Sequence, residues 1–182
     1  DNNKRNGISV ISANGLLVEN SIFKNTNGTA PEYGIDVEPN GPSDLLKNVV
    51  FQNCLAQGNA QTGVGVSLTM YQSATSRIDV GLTFNNVTTV SNGANGMELY
   101  VYNSNKGIGG TVNVNNYTSN GDRGIAMTIA NYGTLSPHVA VNGWNYLNPS
   151  STTRSLTTYP SEVRDSSGIS SGYIAFKQAA FT

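Results

Sequence analysis

Asp36 and Glu38 stand two residues apart in Gly34-Ile35-Asp36-Val37-Glu38, where apolar and acidic residues alternate. In an extended strand, side chains two apart share a face, so both carboxylates project together while Ile35 and Val37 turn the other way. Glu98 occupies the same frame in Gly96-Met97-Glu98-Leu99, with Tyr100 and Tyr102 at the next alternate positions. Carboxylates on one face are the apparatus of glycoside hydrolysis: one protonates the leaving oxygen, the other acts as base or nucleophile. Tyrosine rings beside them suit the C–H edges of sugar rings. Arg123 precedes a later copy of the frame and could hold an anionic sugar group. A β-elimination would instead call on Tyr100, Lys106 or Arg123. His138, the single histidine, follows Pro137 and reads as an exposed turn residue rather than a general base. Cys54 is the only cysteine, which excludes an intramolecular disulfide, and it reads as a small buried hydrophobe.

The frame that carries these residues recurs. Gly7-Ile8-Ser9-Val10, Gly34-Ile35-Asp36-Val37, Gly63-Val64-Gly65-Val66, Gly96-Met97-Glu98-Leu99 and Gly124-Ile125-Ala126-Met127 each set a glycine before apolar residues at the first and third positions. The glycines are 27, 29, 33 and 28 residues apart. A period of this size marks a repeat array with one supersecondary unit per period. A second extended segment ends each unit: Ser21-Ile22-Phe23-Lys24-Asn25, Val49-Val50-Phe51-Gln52-Asn53, Leu82-Thr83-Phe84-Asn85-Asn86 and Val112-Asn113-Val114-Asn115-Asn116. These runs are β-branched and aromatic, Asn-Gly breakers separate them, and no 3.6-residue period is sustained. The expectation is an all-β parallel β-helix of about five coils over residues 1–150, followed by an irregular segment over 151–182 in which Gly172-Tyr173-Ile174-Ala175-Phe176 could form one last strand. The periods are short for propeller blades.

Stacking the copies in register predicts three outward columns. They are Ser9, Asp36, Gly65, Glu98, Ala126; then Ile11, Glu38, Ser67, Tyr100, Thr128; then Ala13, Asn40, Thr69, Tyr102, Ala130. Asp36 and Glu98 fall two coils apart, about 9.6 Å between backbones at the usual strand spacing, with Gly65 as a shallow floor between them. Asn25, Asn53, Asn86 and Asn116 are expected to stack as a ladder at one corner, each amide donating to the next carbonyl. Thr26, Cys54, Val87 and Tyr117 then turn inward. Sequons begin at Asn27, Asn86 and Asn116, the last two within the ladder.

Composition narrows the function classes. The formal charge is −1 and only 12% of residues are charged, about half the usual share. That argues against nucleic acid or an anionic membrane as an obligate partner. No run of apolar residues is long enough for a membrane helix. The oxygen ligands are scattered rather than gathered in one loop, so no metal or cofactor is expected; Ca²⁺ is the ion such ligands would suit. The repeat starts at once, and a solenoid needs polar caps, so the chain is expected to be a piece or partner of a larger assembly.

The opening block, Asp1 through Ser12 with Arg5 and Gly7-Ile8-Ser9-Val10-Ile11, resembles right-handed parallel β-helix proteins of the pectate-lyase-like superfamily. So does Asn25-Thr26-Asn27-Gly28-Thr29-Ala30-Pro31 followed by Gly34 through Asn40. The resemblance implies a right-handed coil, a polysaccharide partner, and an extracellular or virion setting, with homotrimers in the tailspike members. The expected function is polysaccharide binding and degradation by a hydrolase or lyase, with Asp36, Glu38 and Glu98 catalytic and Tyr100, Tyr102, Arg123 and Arg5 holding substrate. The alternative is a non-catalytic receptor-binding spike or adhesin.

Overall fold

In a computed structural model the glycine-led segments lie one above another as a parallel ladder. The structure describes residues 1–101, 107–130 and 136–148 in full, and the backbone of 156–158 and 174–181. The first coil contains β1 (Ile8–Val10), β2 (Ala13–Glu19) and β3 (Ile22–Lys24). The second contains β4 (Ile35–Val37), β5 (Leu46–Gln52) and β6 (Leu55–Gln57). The third contains β7 (Val64–Ser67), β8 (Ile78–Asn85) and β9 (Thr88–Val90). In the fourth, β10 (Met97–Tyr100) leads to one long strand, β11 (Ile108–Asn120). Then come β12 (Met127–Ala130), β13 (His138–Leu147), β14 (Leu156–Thr158) and β15 (Ile174–Phe181). One sheet runs β1-β4-β7-β10-β12-β14, and every pairing in it is parallel. The other strands make two more faces, one led by β2-β5-β8-β11 and one by β3-β6-β9-β11; β11 and β13 bend from one to the other. The chain is a parallel β-solenoid. Residues beyond 150 still contribute β14 and β15 to its sheets.

Alternation explains the core. Ile8/Val10, Ile35/Val37, Val64/Val66, Met97/Leu99 and Met127/Ile129 stack inward from the first sheet. Val49/Phe51, Leu82/Phe84, Val112/Val114 and Val139/Val141 meet them from the second. The Phe51 and Phe84 rings stack 5.4 Å apart and 4° from parallel, the aromatic counterpart of the coil repeat.

Two corners turn the chain, each with backbone in the left-handed region. Asn20, Asn53, Asn86, Asn116 and Gly143 make the first, and Asn25, Gly58, Ser91, Gly121 and Asn148 the second, always five residues later. Glycine and asparagine tolerate this conformation best. The asparagine ladder therefore starts from Asn20, not Asn25. Asn53 Nδ2 donates to Asn20 Oδ1 at 3.2 Å, Asn86 to Asn53 at 3.0 Å and Asn116 to Asn86 at 3.2 Å. Asn25 belongs to the other corner because Leu16–Glu19, not Ser21–Lys24, stacks on Val49–Gln52.

A buried polar column follows the second corner. Thr26, Asn59, Asn92 and Asp122 are at most 1% exposed. Thr26 N donates to Asn59 Oδ1, and Asn59 N and Nδ2 donate to Asn92 Oδ1. Asn92 N and Nδ2 donate to Asp122 Oδ1, while the Thr89 and Ser119 hydroxyls donate to Asp122 Oδ2, both at 2.6 Å. This column crowds three of the leading glycines. A Cβ on Gly34 would come within 2.7 Å of Asn59 Nδ2, one on Gly63 within 2.8 Å of Asn92 Nδ2, and one on Gly96 within 2.8 Å of Asp122 Oδ2.

The fifth copy of the frame is displaced from its expected register. Ala126, not Gly124, stacks on Gly96, so Glu98 pairs with Thr128 and Tyr100 with Ala130. The third expected column does not form: Ala13 pairs with Leu46 on the second face and Thr69 opens a short 3-10 turn.

Candidate functional site

The outward row of the first sheet is Ser9, Asp36, Gly65, Glu98, Thr128. Asp36 and Glu98 face outward, yet they are only 6% and 8% exposed. The cover comes from a local departure from the repeat. The glycine position follows the second corner by nine residues in the first coil, Asn25 to Gly34, and by five in the next three: Gly58 to Gly63, Ser91 to Gly96 and Gly121 to Ala126. The four extra residues let the segment from Gly28 to Tyr33, with a cis Ala30–Pro31 bond, swing over the sheet.

Tyr33 is the outcome of that insertion. Its ring lies on Gly65: a Cβ there would stand 2.5 Å from both Tyr33 Cδ2 and Cε2. Its hydroxyl donates to Glu98 Oε2 at 3.2 Å. The floor between the two acids is thus occupied by an aromatic ring and is not open space for a water. Burial first, and then the Glu98 charge, keep the Tyr33 phenol protonated well above its ordinary range.

Asparagines hold both acids. Asn6 Nδ2 donates to Asp36 Oδ2 at 2.7 Å, and its Oδ1 accepts the Tyr33 backbone N–H at 3.1 Å. Asn95 Nδ2 donates to Glu98 Oε1, and its Oδ1 accepts the Ile125 N–H. Each asparagine thus joins a carboxyl to the backbone of the next coil. The Ser9 hydroxyl adds a bond to Asp36 Oδ2 at 3.1 Å. Burial pushes the Asp36 pKa up to about 6, the Ser9 bond and Arg5 oppose the rise, and the Glu38 charge adds to it.

Pro31, Tyr33, Asp36, Glu38, Ser67 and Tyr100 line an open cleft of about 310 Å³. Asp36, Glu38 and Tyr100 meet there. Glu98 stands behind the cleft, tied to Tyr33, and Arg5 is exposed and acts on Asp36 by its charge. Arg123 is exposed at the turn before β12 and does not line the cleft. Tyr102 and Lys106 lie outside the described residues. His138 opens β13, half-buried, with its pKa lowered by burial. Cys54 is buried, and burial raises its thiol pKa.

Tyr33 and Asn6 are the members that the repeat pattern misses. The interval from Asn25 to Gly34 is long only against Gly58–Gly63, Ser91–Gly96 and Gly121–Ala126, a comparison that needs the structural register, so the sequence pattern carries no signal for Tyr33. Among the described residues no group of three or more His, Cys, Asp or Glu could hold a metal ion, and no helix is long and apolar enough to cross a membrane.

A raised, buried carboxyl beside a second carboxylate suits proton donation, and two tyrosines flanking it suit a ring-shaped, hydroxyl-rich ligand. Compared with known proteins, the chain matches no family model, no curated protein and no solved structure.

Proposed function

We propose that this solenoid binds and cleaves a polysaccharide in the cleft between Tyr33 and Tyr100. The observation that carries the reading is Asp36: a buried carboxyl with its pKa raised to about 6, opening on a cleft with a second carboxylate and aromatic walls. In hydrolysis Asp36 protonates the glycosidic oxygen and Glu38 serves as base. Alternate strand positions stand about 6–7 Å apart, close to the separation of about 6.5 Å and above at which inverting glycosidases admit a water. Asp36 and Glu38 are better placed as the pair than Asp36 and Glu98, because Tyr33 fills the space over Gly65. In an elimination, Tyr100 would be the base. The pectate-lyase-like resemblance adds a right-handed coil, an extracellular or virion setting and a homotrimeric, tailspike-like assembly to this proposal.

The test is cleavage of a polysaccharide panel. Reducing ends released without ultraviolet absorbance from an unsaturated product mean hydrolysis, and growth of that absorbance means elimination. Asp36→Asn and Glu38→Gln are expected to abolish cleavage while the circular dichroism spectrum stays unchanged. Full activity in both variants would sink the assignment. A second reading, glycan binding without turnover, is favoured by the closure of the Asp36–Glu98 gap by Tyr33. Saturable binding with no product over days would decide for it.

A further inference from the structure

We infer that the cleft accepts an uncharged saccharide and rejects sugars that carry a carboxylate. The inference rests on the saccharide reading above and concerns which class of sugar fits.

The charges set the preference. Asp36 and Glu38 open into the cleft, and Glu98 lies directly behind its Tyr33 wall. Among the described lining residues none is cationic. The Arg5 charge is already directed at Asp36. A uronate seated between Tyr33 and Tyr100 would bring a further carboxylate close to two others, at a site where burial has reduced screening. Neutral sugar hydroxyls, by contrast, both donate to carboxylates and accept from other groups, and the cleft offers partners of both kinds. Glu38 provides acceptor oxygens, and the Ser67 hydroxyl, bonded to Thr69 Oγ1 at 2.8 Å, can donate or accept.

The experiment compares neutral oligosaccharides (glucan, mannan, xylan and chitin fragments) with uronate oligosaccharides (galacturonan, alginate and hyaluronan fragments) on one array, using wild type, Tyr33→Ala and Glu38→Gln. The expected result is binding of one or more neutral members by wild type, loss of that binding in Tyr33→Ala, and no uronate binding by wild type. Glu38 is half-exposed, so Glu38→Gln leaves the core intact. Removing its charge is expected to raise uronate affinity about tenfold relative to that of the neutral members. If wild type binds uronates as tightly as neutral sugars and Tyr33→Ala abolishes it, the charge preference is wrong and the saccharide reading stands. If no member of either class depends on Tyr33, both fall.

Discussion

The Tyr33 hydroxyl donates to Glu98, 65 residues along the chain, across the face of Gly65. Three successive coils are joined by this contact, because Asp36, Gly65 and Glu98 are register partners and Tyr33 enters from the segment ahead of Asp36. One side chain thus closes the gap between two acids and forms a wall of the cleft.

Gly65→Ala is expected to displace the Tyr33 ring, since its Cβ would meet two ring carbons at 2.5 Å. Ligand affinity should fall about tenfold, as for the loss of roughly 1.4 kcal/mol, with the melting temperature little changed. Gly41→Ala is the control, with open space around its Cβ. Equal affinity in both variants, measured by calorimetry, would show that the ring position does not matter.

Asp36 makes stability depend on pH. Its folded pKa of about 6 lies above the ordinary aspartate value of 3.8, so the folded state binds the proton more tightly than the unfolded state. Below the unfolded value both states are protonated and there is no cost. As pH rises through the window to about 6, ionising the buried carboxyl destabilises the fold, by up to roughly 3 kcal/mol. Asp36→Asn should therefore be the more stable protein above pH 6 and lose that advantage near pH 4. Urea titrations across this range read the difference, and parallel curves would refute it.

The same group sets the pH profile of cleavage. With Asp36 as general acid, kcat/KM falls as pH rises through about 6. In Asp36→Asn the residual rate should lack that alkaline limb. An unchanged limb assigns it to another group.

Asn86→Ala tests the first corner. It places alanine in the left-handed region and removes bonds to Asn53 and Asn116. The expected cost is about 1–2 kcal/mol from the backbone alone. Asn86→Gly relieves that part and should cost less. Denaturant midpoints that rank the glycine variant below the alanine variant would contradict the corner's role.

Asp122→Ala should be among the most damaging polar substitutions. It removes the acceptor of the Asn92 backbone N–H and the Ser119 hydroxyl, at about 1–3 kcal/mol for each group left unpaired, while Asn92 Nδ2 keeps Ala56 O and the Thr89 hydroxyl keeps Tyr117. Asp122→Asn keeps an acceptor and should lose less. Equal stability of the two variants would show that the hydrogen bonds are not what the position supplies.

Much of the site was legible because it is periodic. Asp36, Gly65 and Glu98 fall in one row from spacing alone, since every coil repeats the frame and parallel strands keep register. The reading failed where periodicity did. In the fifth copy Gly124 sits two residues ahead of the true position, which Ala126 holds. Asn25 and Asn20 both precede inward-turning chain, and only the pairing of β2 with β5 tells which one continues the ladder.

The sequence by itself determined the solenoid, its inward apolar stacks and the acids that share a face, because each follows from a pattern local to one coil and copied into the next. Tertiary structure alone decided what lies over those acids. Tyr33 reaches Gly65 and Glu98 through a four-residue departure from the repeat, and no periodic rule says where an inserted loop comes down. The leading glycines were visible as a signature, but their cause was not. At Gly34, Gly63 and Gly96 the side chains of Asn59, Asn92 and Asp122, which come from a different corner of the coil, are among the groups that fill the space where a Cβ would be.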